Sequence, residues 1–123
     1  MTARIAQLTL DVRDARLMAF FWASALGMTA DLGDDGSAKL YPPGGPGTGE
    51  QTLWLQPVEE GKQQKIRLHL DLRPDDGDVE TEVERLIELG ASRADVGQTG
   101  DEGFTVLVDP EGNEFCVLHQ DPS

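Results

Sequence analysis

One histidine lies on the polar side of a short segment in which apolar and polar residues alternate. Along residues 66–73, leucines alternate with polar side chains, and His69 and Asp71 share the polar side. This period of two is typical of a β-strand with one buried face. Histidine is the commonest metal ligand, through a neutral ring nitrogen. A hydrogen bond to a carboxylate such as Asp11 or Asp71 explains His69 equally well, so a functional and a structural interpretation are both open.

The sequence carries no other recognisable catalytic motif. Ser24, Ser37 and Ser92 lack the glycine-flanked context of a nucleophile elbow. There is no phosphate-binding loop and no glycine pattern for a dinucleotide. Any chemistry of this chain is therefore expected around His69 and the residues that share its side of the strand.

The segment around His69 is the second copy of a short sequence repeat. Residues 8–13, Leu-Thr-Leu-Asp-Val-Arg, are followed after a helical stretch by Leu26-Gly27. Residues 68–73, Leu-His-Leu-Asp-Leu-Arg, are followed in the same way by Leu89-Gly90. The chain thus repeats the order of a strand, a helix and a helix end at Leu-Gly. This repeat predicts two related units with a cleft between them.

The residue patterns predict the order βαβββ twice. Asp14 and Gly27 are expected to cap the first helix, and Gly90 to end the second. The glycine- and proline-rich residues 42–49 are expected to be a loop, either a flap over a cleft or an inert surface segment. The predicted strands are Ile5–Arg13, Met28–Leu32, Ala38–Tyr41, Thr52–Gln56, Ile66–Arg73, Ser92–Val96, Phe104–Asp109 and Glu114–His119, and the helices are Asp14–Leu26 and Asp78–Leu89.

Length and composition limit the class of protein. A chain of 123 residues is one ordinary domain. A net charge of −13, with 10 basic residues among 23 acidic ones, argues against nucleic acid as a partner. No apolar run approaches the roughly 20 residues of a membrane span. The N-terminus lacks an apolar signal core and Cys116 is the single cysteine, so we expect a cytoplasmic protein.

Three features together resemble the vicinal oxygen chelate superfamily, in its glyoxalase-like and bleomycin-resistance-like members. They are the doubled βαβββ order, the pairs Phe21-Trp22 and Leu26-Gly27 in the first helix, and Asp109-Pro110-Glu111-Gly112-Asn113 before the last strand. The resemblance implies a single α+β domain over residues 1–123, with two βαβββ modules forming open half-barrels around a central cavity. Module 1 would span about 1–57, a linker 58–64, and module 2 about 65–123. Many such proteins are homodimers.

The resemblance also implies where metal ligands would lie, on the first and last strands of each module. In module 1 the first-strand position falls on Gln7, although the internal repeat aligns Thr9 with His69. In module 2 the first-strand position falls on His69. An amide oxygen and an imidazole can both bind a metal.

On the last strands the implied positions are poor in donors. The residue seven places after Asp109 is Cys116, where active relatives carry a carboxylate. Glu114 shares its side of the strand and could substitute, but it lies beside the turn. The fourth position maps to Leu53, which offers no donor. We therefore expect a degenerate site with either no cofactor or a weakly bound divalent metal.

Two functions follow from these residues, and they leave open whether the protein is an enzyme. The first is a glyoxalase-like protein that binds a small organic molecule in the inter-module cavity, with His69 and Gln7 as polar anchors. Its expected apolar lining is Trp22, Trp54, Phe104 and Tyr41, and for Trp22 the core or a dimer interface is the alternative. The second is a metal-dependent lyase, isomerase or dioxygenase that uses Gln7, His69 and Cys116 or Glu114. An accessory domain without catalysis is a third possibility.

Overall fold

A computed structural model describes residues 2–45, 51–75, 78–94 and 103–119, and it divides the chain into two compact units, 1–61 and 62–123. Each unit has four strands and one helix in the order βαβββ, as predicted. The first contains β1 (Gln7–Val12), α1 (Ala15–Leu26), β2 (Thr29–Leu32), β3 (Ala38–Tyr41) and β4 (Thr52–Pro57). The second contains β5 (Leu70–Leu72), α2 (Val79–Leu89), β6 (Ser92–Arg93), β7 (Phe104–Val108) and β8 (Glu114–Leu118).

Both helices begin and end at the residues that the sequence indicates. The Asp14 carboxylate accepts a hydrogen bond from the Leu17 backbone N–H at 3.0 Å, and this bond satisfies a free donor of the first turn. Gly27 ends α1 in the left-handed conformation, with φ of 68°. Asp78 caps α2 in the same way, and Gly90 ends it with φ of 129°. Neither described helix is long and apolar enough to cross a membrane.

In each unit the first strand is parallel to the last and lies at the sheet edge. The strand orders are β1-β4-β3-β2 and β5-β8-β7-β6. In the first unit, α1 packs on the face that carries Leu53, Leu55 and Leu40, all buried. Its own buried aromatic residues are Phe21 and Trp22, whose rings meet edge to face with centroids 5.1 Å apart. One face of this sheet is therefore core, and the other carries the polar residues.

The second unit repeats this division. Phe115, Val117 and Leu107 are fully or almost fully buried, and they share the sheet face on which Val83 and Leu86 of α2 pack. The residues between them on β8 point to the opposite face because side chains alternate along a strand.

The motif Asp109–Asn113 forms a closed hydrogen-bonded turn between β7 and β8. Asp109 is 2 % exposed, and its Oδ1 accepts from the backbone N–H groups of Glu111 at 2.9 Å and Asn113 at 3.0 Å. The Asn113 side-chain amide donates to Asp109 Oδ2 at 3.0 Å. Gly112 takes a φ of 90°, which disfavours a residue with a side chain. The motif is thus explained by the structure of the turn rather than by catalysis.

Strand β5 is shorter than predicted, starting at Leu70 rather than at Ile66. Among the residues that the structure describes, β5 pairs with β8 alone, and Leu70 is level with Phe115. Residues before His69 would lie level with the turn that precedes β8, and this turn offers no strand edge for pairing. Leu68 is accordingly 68 % exposed. The predicted residues 46–49 of the loop and 95–96 of β6 lie outside the described residues.

We predict that Asp109→Ala lowers the free energy of unfolding by about 2–4 kcal/mol, because it leaves buried donors without an acceptor. Urea denaturation followed by circular dichroism measures the change. Asp34→Ala is the matched control, since Asp34 lies exposed in a turn, and its effect should stay within about 0.5 kcal/mol. Equal effects of the two substitutions would contradict a structural role for the Asp109 carboxylate.

Candidate functional site

The polar face of the first sheet is formed by β1 and β4, on the side away from α1. Along β1 every second residue, beginning with Gln7, is exposed. The parallel register places Thr9 level with Trp54 and Asp11 level with Gln56. This face therefore presents amide, hydroxyl, carboxylate and indole groups side by side.

Several of these groups are already hydrogen-bonded to each other. The Thr52 hydroxyl donates to Gln7 Oε1 at 3.1 Å, so this amide oxygen is partly engaged. The Trp54 indole N–H donates to Gln56 Oε1 at 2.8 Å, which fixes the plane of the half-buried indole. The contacts orient Gln7 and Trp54 without burying either of them fully.

Tyr41 extends the same face on β3. Lys39 and Tyr41 are two residues apart on this strand, and the Lys39 ammonium lies 5.6 Å from the centroid of the tyrosine ring. Lys39 is in turn level with Trp54 across the β3–β4 register. The structure thus brings Gln7, Trp54 and Tyr41 onto one face.

Trp22 does not share that face. It is 2 % exposed and lies in α1, which packs on the opposite, apolar face of the sheet. The expectation that Trp22 lines a ligand cavity is corrected accordingly. The helix is apolar over so much of its surface that the sequence did not separate its core residues from a possible lining.

The polar face of the second sheet contains the remaining predicted residues. Asp71 is level with Cys116, and Cys116 is level with Val106, so Phe104 and Glu114 fall on the same face by alternation. Extending the β5–β8 register by one residue places His69 level with Glu114. His69 is exposed, and its Nε2 lies 3.2 Å from the backbone oxygen of Ile66.

Cys116 is held as a neutral thiol. It is 8 % exposed, and burial raises the pKa of the thiol. The charge of the neighbouring Asp71 carboxylate and a hydrogen bond to it raise the pKa further. Burial and the Asp71 carboxylate therefore both favour the neutral thiol, and Cys116 would have to lose its proton to bind a metal.

Glu114 is paired with a lysine that sequence reasoning placed in the linker. The Lys62 ammonium donates to Glu114 Oε1 at 2.5 Å and to the backbone oxygen of Gly112 at 2.8 Å. The other carboxylate oxygen, Oε2, is buried and accepts no hydrogen bond from the described part of the chain. The hydrogen bond from Lys62 lowers the pKa of Glu114, and the charge of His69 adds to this effect. No local pattern signals a contact that spans 52 residues.

The strand registers also change which residue of β4 corresponds to Cys116 of β8. Thr9 pairs with Trp54 and Asp11 with Gln56, while Asp71 pairs with Cys116. Since Asp11 and Asp71 are equivalent in the internal repeat, the counterpart of Cys116 is Gln56. The assignment of that position to Leu53 is wrong, because Leu53 is buried on the α1 side of its sheet.

These donors do not fit the metal centre implied by the resemblance. Within the residues that the structure describes, no group of three or more His, Cys, Asp or Glu side chains is placed to hold a metal ion. The Cys116 thiol is buried and level with the Asp71 carboxylate, Glu114 is paired with Lys62, and Gln7 accepts a hydrogen bond from Thr52. Hard-metal chemistry needs several free oxygen or imidazole donors that converge, with open positions for substrate.

His119, which the sequence analysis did not include in the site, lies elsewhere on the second unit. It is exposed, and its Nε2 lies 2.9 Å from the Thr105 hydroxyl. The two residues border an open cleft of about 630 Å³ beside Val79 and Val83 of α2. Thr105 is level with Val117, so this cleft is on the α2 side of the sheet and separate from His69.

The model of the glyoxalase-like domain family matches residues 7–118. The chain therefore belongs to this family. A search among curated proteins finds no match.

Solved structures show the same fold at low sequence identity. A fosfomycin resistance protein, FosX, from Mesorhizobium loti is 15 % identical with a TM-score of 0.73, covering 98 % of this chain and 94 % of that one. A glyoxalase/bleomycin resistance protein/dioxygenase family enzyme from Burkholderia phytofirmans is 19 % identical with a TM-score of 0.70, covering 94 % and 97 %. FosX from Listeria monocytogenes, solved with Mn(II) and 1S,2S-dihydroxypropylphosphonic acid, is 14 % identical with a TM-score of 0.73, covering 98 % and 93 %.

We predict that Asp71→Asn makes Cys116 more reactive, because the substitution removes a charge that raises the pKa of the thiol. The thiolate fraction then increases at any pH below that pKa, and iodoacetamide should alkylate the folded protein severalfold faster at pH 8. Cys116 is the single cysteine, so mass spectrometry reads the rate directly. Asp11→Asn, at the equivalent place in the other unit, should leave the rate unchanged; an Asp71→Asn rate no faster than wild type would refute the account of this thiol.

Proposed function

We propose that this chain binds a small organic molecule at the polar faces of its sheets and requires no metal to do so. The observation that supports this most is the face shared by Gln7, Trp54 and Tyr41. Two half-buried aromatic rings, on β4 and β3, share this face with an exposed amide on β1. Ligand sites combine apolar and aromatic area with a few placed polar groups.

In the second unit, Phe104 and His69 offer the same combination on the face that carries Cys116. Phe104 is half-buried and His69 is exposed, so a ring and an imidazole are available. A cavity between the two modules, in which both sets would contact one ligand, remains an expectation of the family resemblance. The misfit of the metal donors supports the metal-independent form of the proposal.

A second candidate function, a metal-dependent lyase, isomerase or dioxygenase, has one observation in its favour. His69 and Glu114 are level on the same face, and Glu114 Oε2 is without a partner among the described residues. Structural neighbours include a FosX complex with Mn(II). The candidate requires that Lys62 leave Glu114 and that Gln7, or Cys116 as a thiolate, complete the donor set.

The proposal places this protein in the cytoplasm as a homodimer, without nucleic acid or membrane as partner. The acidic composition supports the exclusion of nucleic acid, with 23 acidic and 10 basic residues. For the dimer, α1 exposes Phe20 at 60 % and Leu17 at 44 %, three residues apart on one helix face. A second copy of the chain would remove this apolar surface from water.

We predict that Trp54→Ala weakens the binding of a small aromatic ligand about two- to tenfold, the loss of one aromatic contact of roughly 0.5–1.5 kcal/mol. Neutral, cationic and anionic aromatic compounds, together with fosfomycin, form the test panel, and calorimetry with and without EDTA measures affinity. Arg16→Ala, exposed on α1, is the control that should bind as wild type. Affinity that survives Trp54→Ala contradicts the proposed face, whereas affinity that EDTA abolishes supports the metal-dependent candidate.

We predict that Phe20→Lys shifts the protein from dimer toward monomer, because a charge replaces a large apolar side chain in the proposed interface. Burial of one such side chain contributes about 1.5–3 kcal/mol, and a two-fold dimer contains two copies, so the dimer dissociation constant should rise by at least about tenfold. Sedimentation equilibrium measures that constant. Leu32→Lys, at another exposed apolar residue of the same unit, serves as the control. A Phe20→Lys protein with the mass distribution of wild type would exclude this helix face.

A further inference from the structure

We infer that Lys62 is a built-in cation for Glu114 and occupies the place that a divalent metal would take at this carboxylate. The inference deepens the proposed metal-independent function by naming the residue responsible. Three observations carry it: the ion pair itself, the second contact of the lysine, and the unpartnered oxygen of the glutamate.

The ion pair is held at two points. The Lys62 ammonium contacts Glu114 Oε1 at 2.5 Å and the Gly112 backbone oxygen at 2.8 Å. Gly112 belongs to the turn that the buried Asp109 carboxylate closes, so the second acceptor is fixed by the fold. The side chains of Lys62 and Glu114 are only 20 % and 13 % exposed. The lysine is therefore positioned more firmly than in an ordinary surface ion pair.

A carboxylate whose side chain is only 13 % exposed is stabilised by a compensating charge nearby. One oxygen of Glu114 receives it from Lys62, while the other is buried without a hydrogen bond among described groups. Removing one partner of such a pair leaves an uncompensated charge, which is strongly unfavourable. A lysine ammonium supplies one positive charge and three donors, so it meets the requirement with no bound ion.

The same ammonium opposes the binding of a metal. A divalent cation at Glu114 would lie close to the Lys62 ammonium, and the two positive charges would repel each other. Lys62 thus both neutralises the carboxylate and excludes the competing ion.

The test compares Mn²⁺ binding by wild type, Lys62→Met, the double variant Lys62→Met/Glu114→Gln, and the control Lys65→Met. Lys65 is exposed and lies three residues along the same segment. Titration followed by electron paramagnetic resonance measures free Mn²⁺, and thermal melting reports folding and stabilisation by the ion. We expect Lys62→Met to bind Mn²⁺ at least about tenfold more tightly than wild type or Lys65→Met, a 1.4 kcal/mol difference. The double variant should lose this gain.

Two results would overturn the inference: a folded Lys62→Met protein that gains no Mn²⁺ affinity, and a gain that persists in the double variant. The wild-type protein provides a test that does not depend on the folding of any variant. Paramagnetic broadening of the Glu114 and His69 resonances at stoichiometric Mn²⁺ would show metal at the carboxylate despite Lys62, whereas sharp resonances support the inference. Because the assays measure metal and not ligand, the inference and the proposed binding function can fail separately.

Discussion

A single helix can cover only one face of a four-stranded sheet, and each unit of this chain has one helix. The most deeply buried apolar residues therefore lie on the helix side of each sheet, among them Leu40, Phe115 and Val117, while Val106 and Cys116 are buried on the other face of the second sheet. The opposite faces receive the polar residues of the alternating strands. Any chemistry that His69, Gln7 or Glu114 could perform depends on this division, because it decides which side chains lie on the same face of a sheet.

The polar faces are not simply solvated surfaces. Trp54 donates to Gln56, Thr52 to Gln7 and Lys62 to Glu114, and the Cys116 thiol is level with the Asp71 carboxylate on the neighbouring strand. Each contact satisfies a polar group within the face and fixes the side chain that remains available to a ligand. The loss of folding stability at acidic pH should reflect the Lys62–Glu114 pair. The pKa of Glu114 is lowered in the folded protein, so its stabilising effect is present above the pKa of the unfolded chain and disappears as pH falls through the folded value.

The sequence predicted the architecture well because its signals are local. Alternation placed Ala38–Tyr41 correctly, and the caps Asp14 and Gly27 placed α1. Register is decided between strands far apart in the chain, so the counterpart of Cys116 was assigned to Leu53 instead of Gln56. The Lys62–Glu114 pair was missed for the same reason, and Trp22 was misplaced because α1 is apolar on both its core and its outer side. Elements set by interactions between neighbouring residues can therefore be predicted from the sequence, whereas contacts between residues far apart in the chain cannot.

We propose that Lys62 satisfies the Glu114 carboxylate on β8 and that no metal is needed there. Anomalous diffraction from crystals grown in the presence of Mn²⁺ tests it most directly. We expect no anomalous peak within metal–ligand distance of Glu114 or His69, and the Lys62 ammonium in contact with Glu114 and the Gly112 oxygen. A peak bonded to Glu114, with Lys62 displaced, would contradict the account.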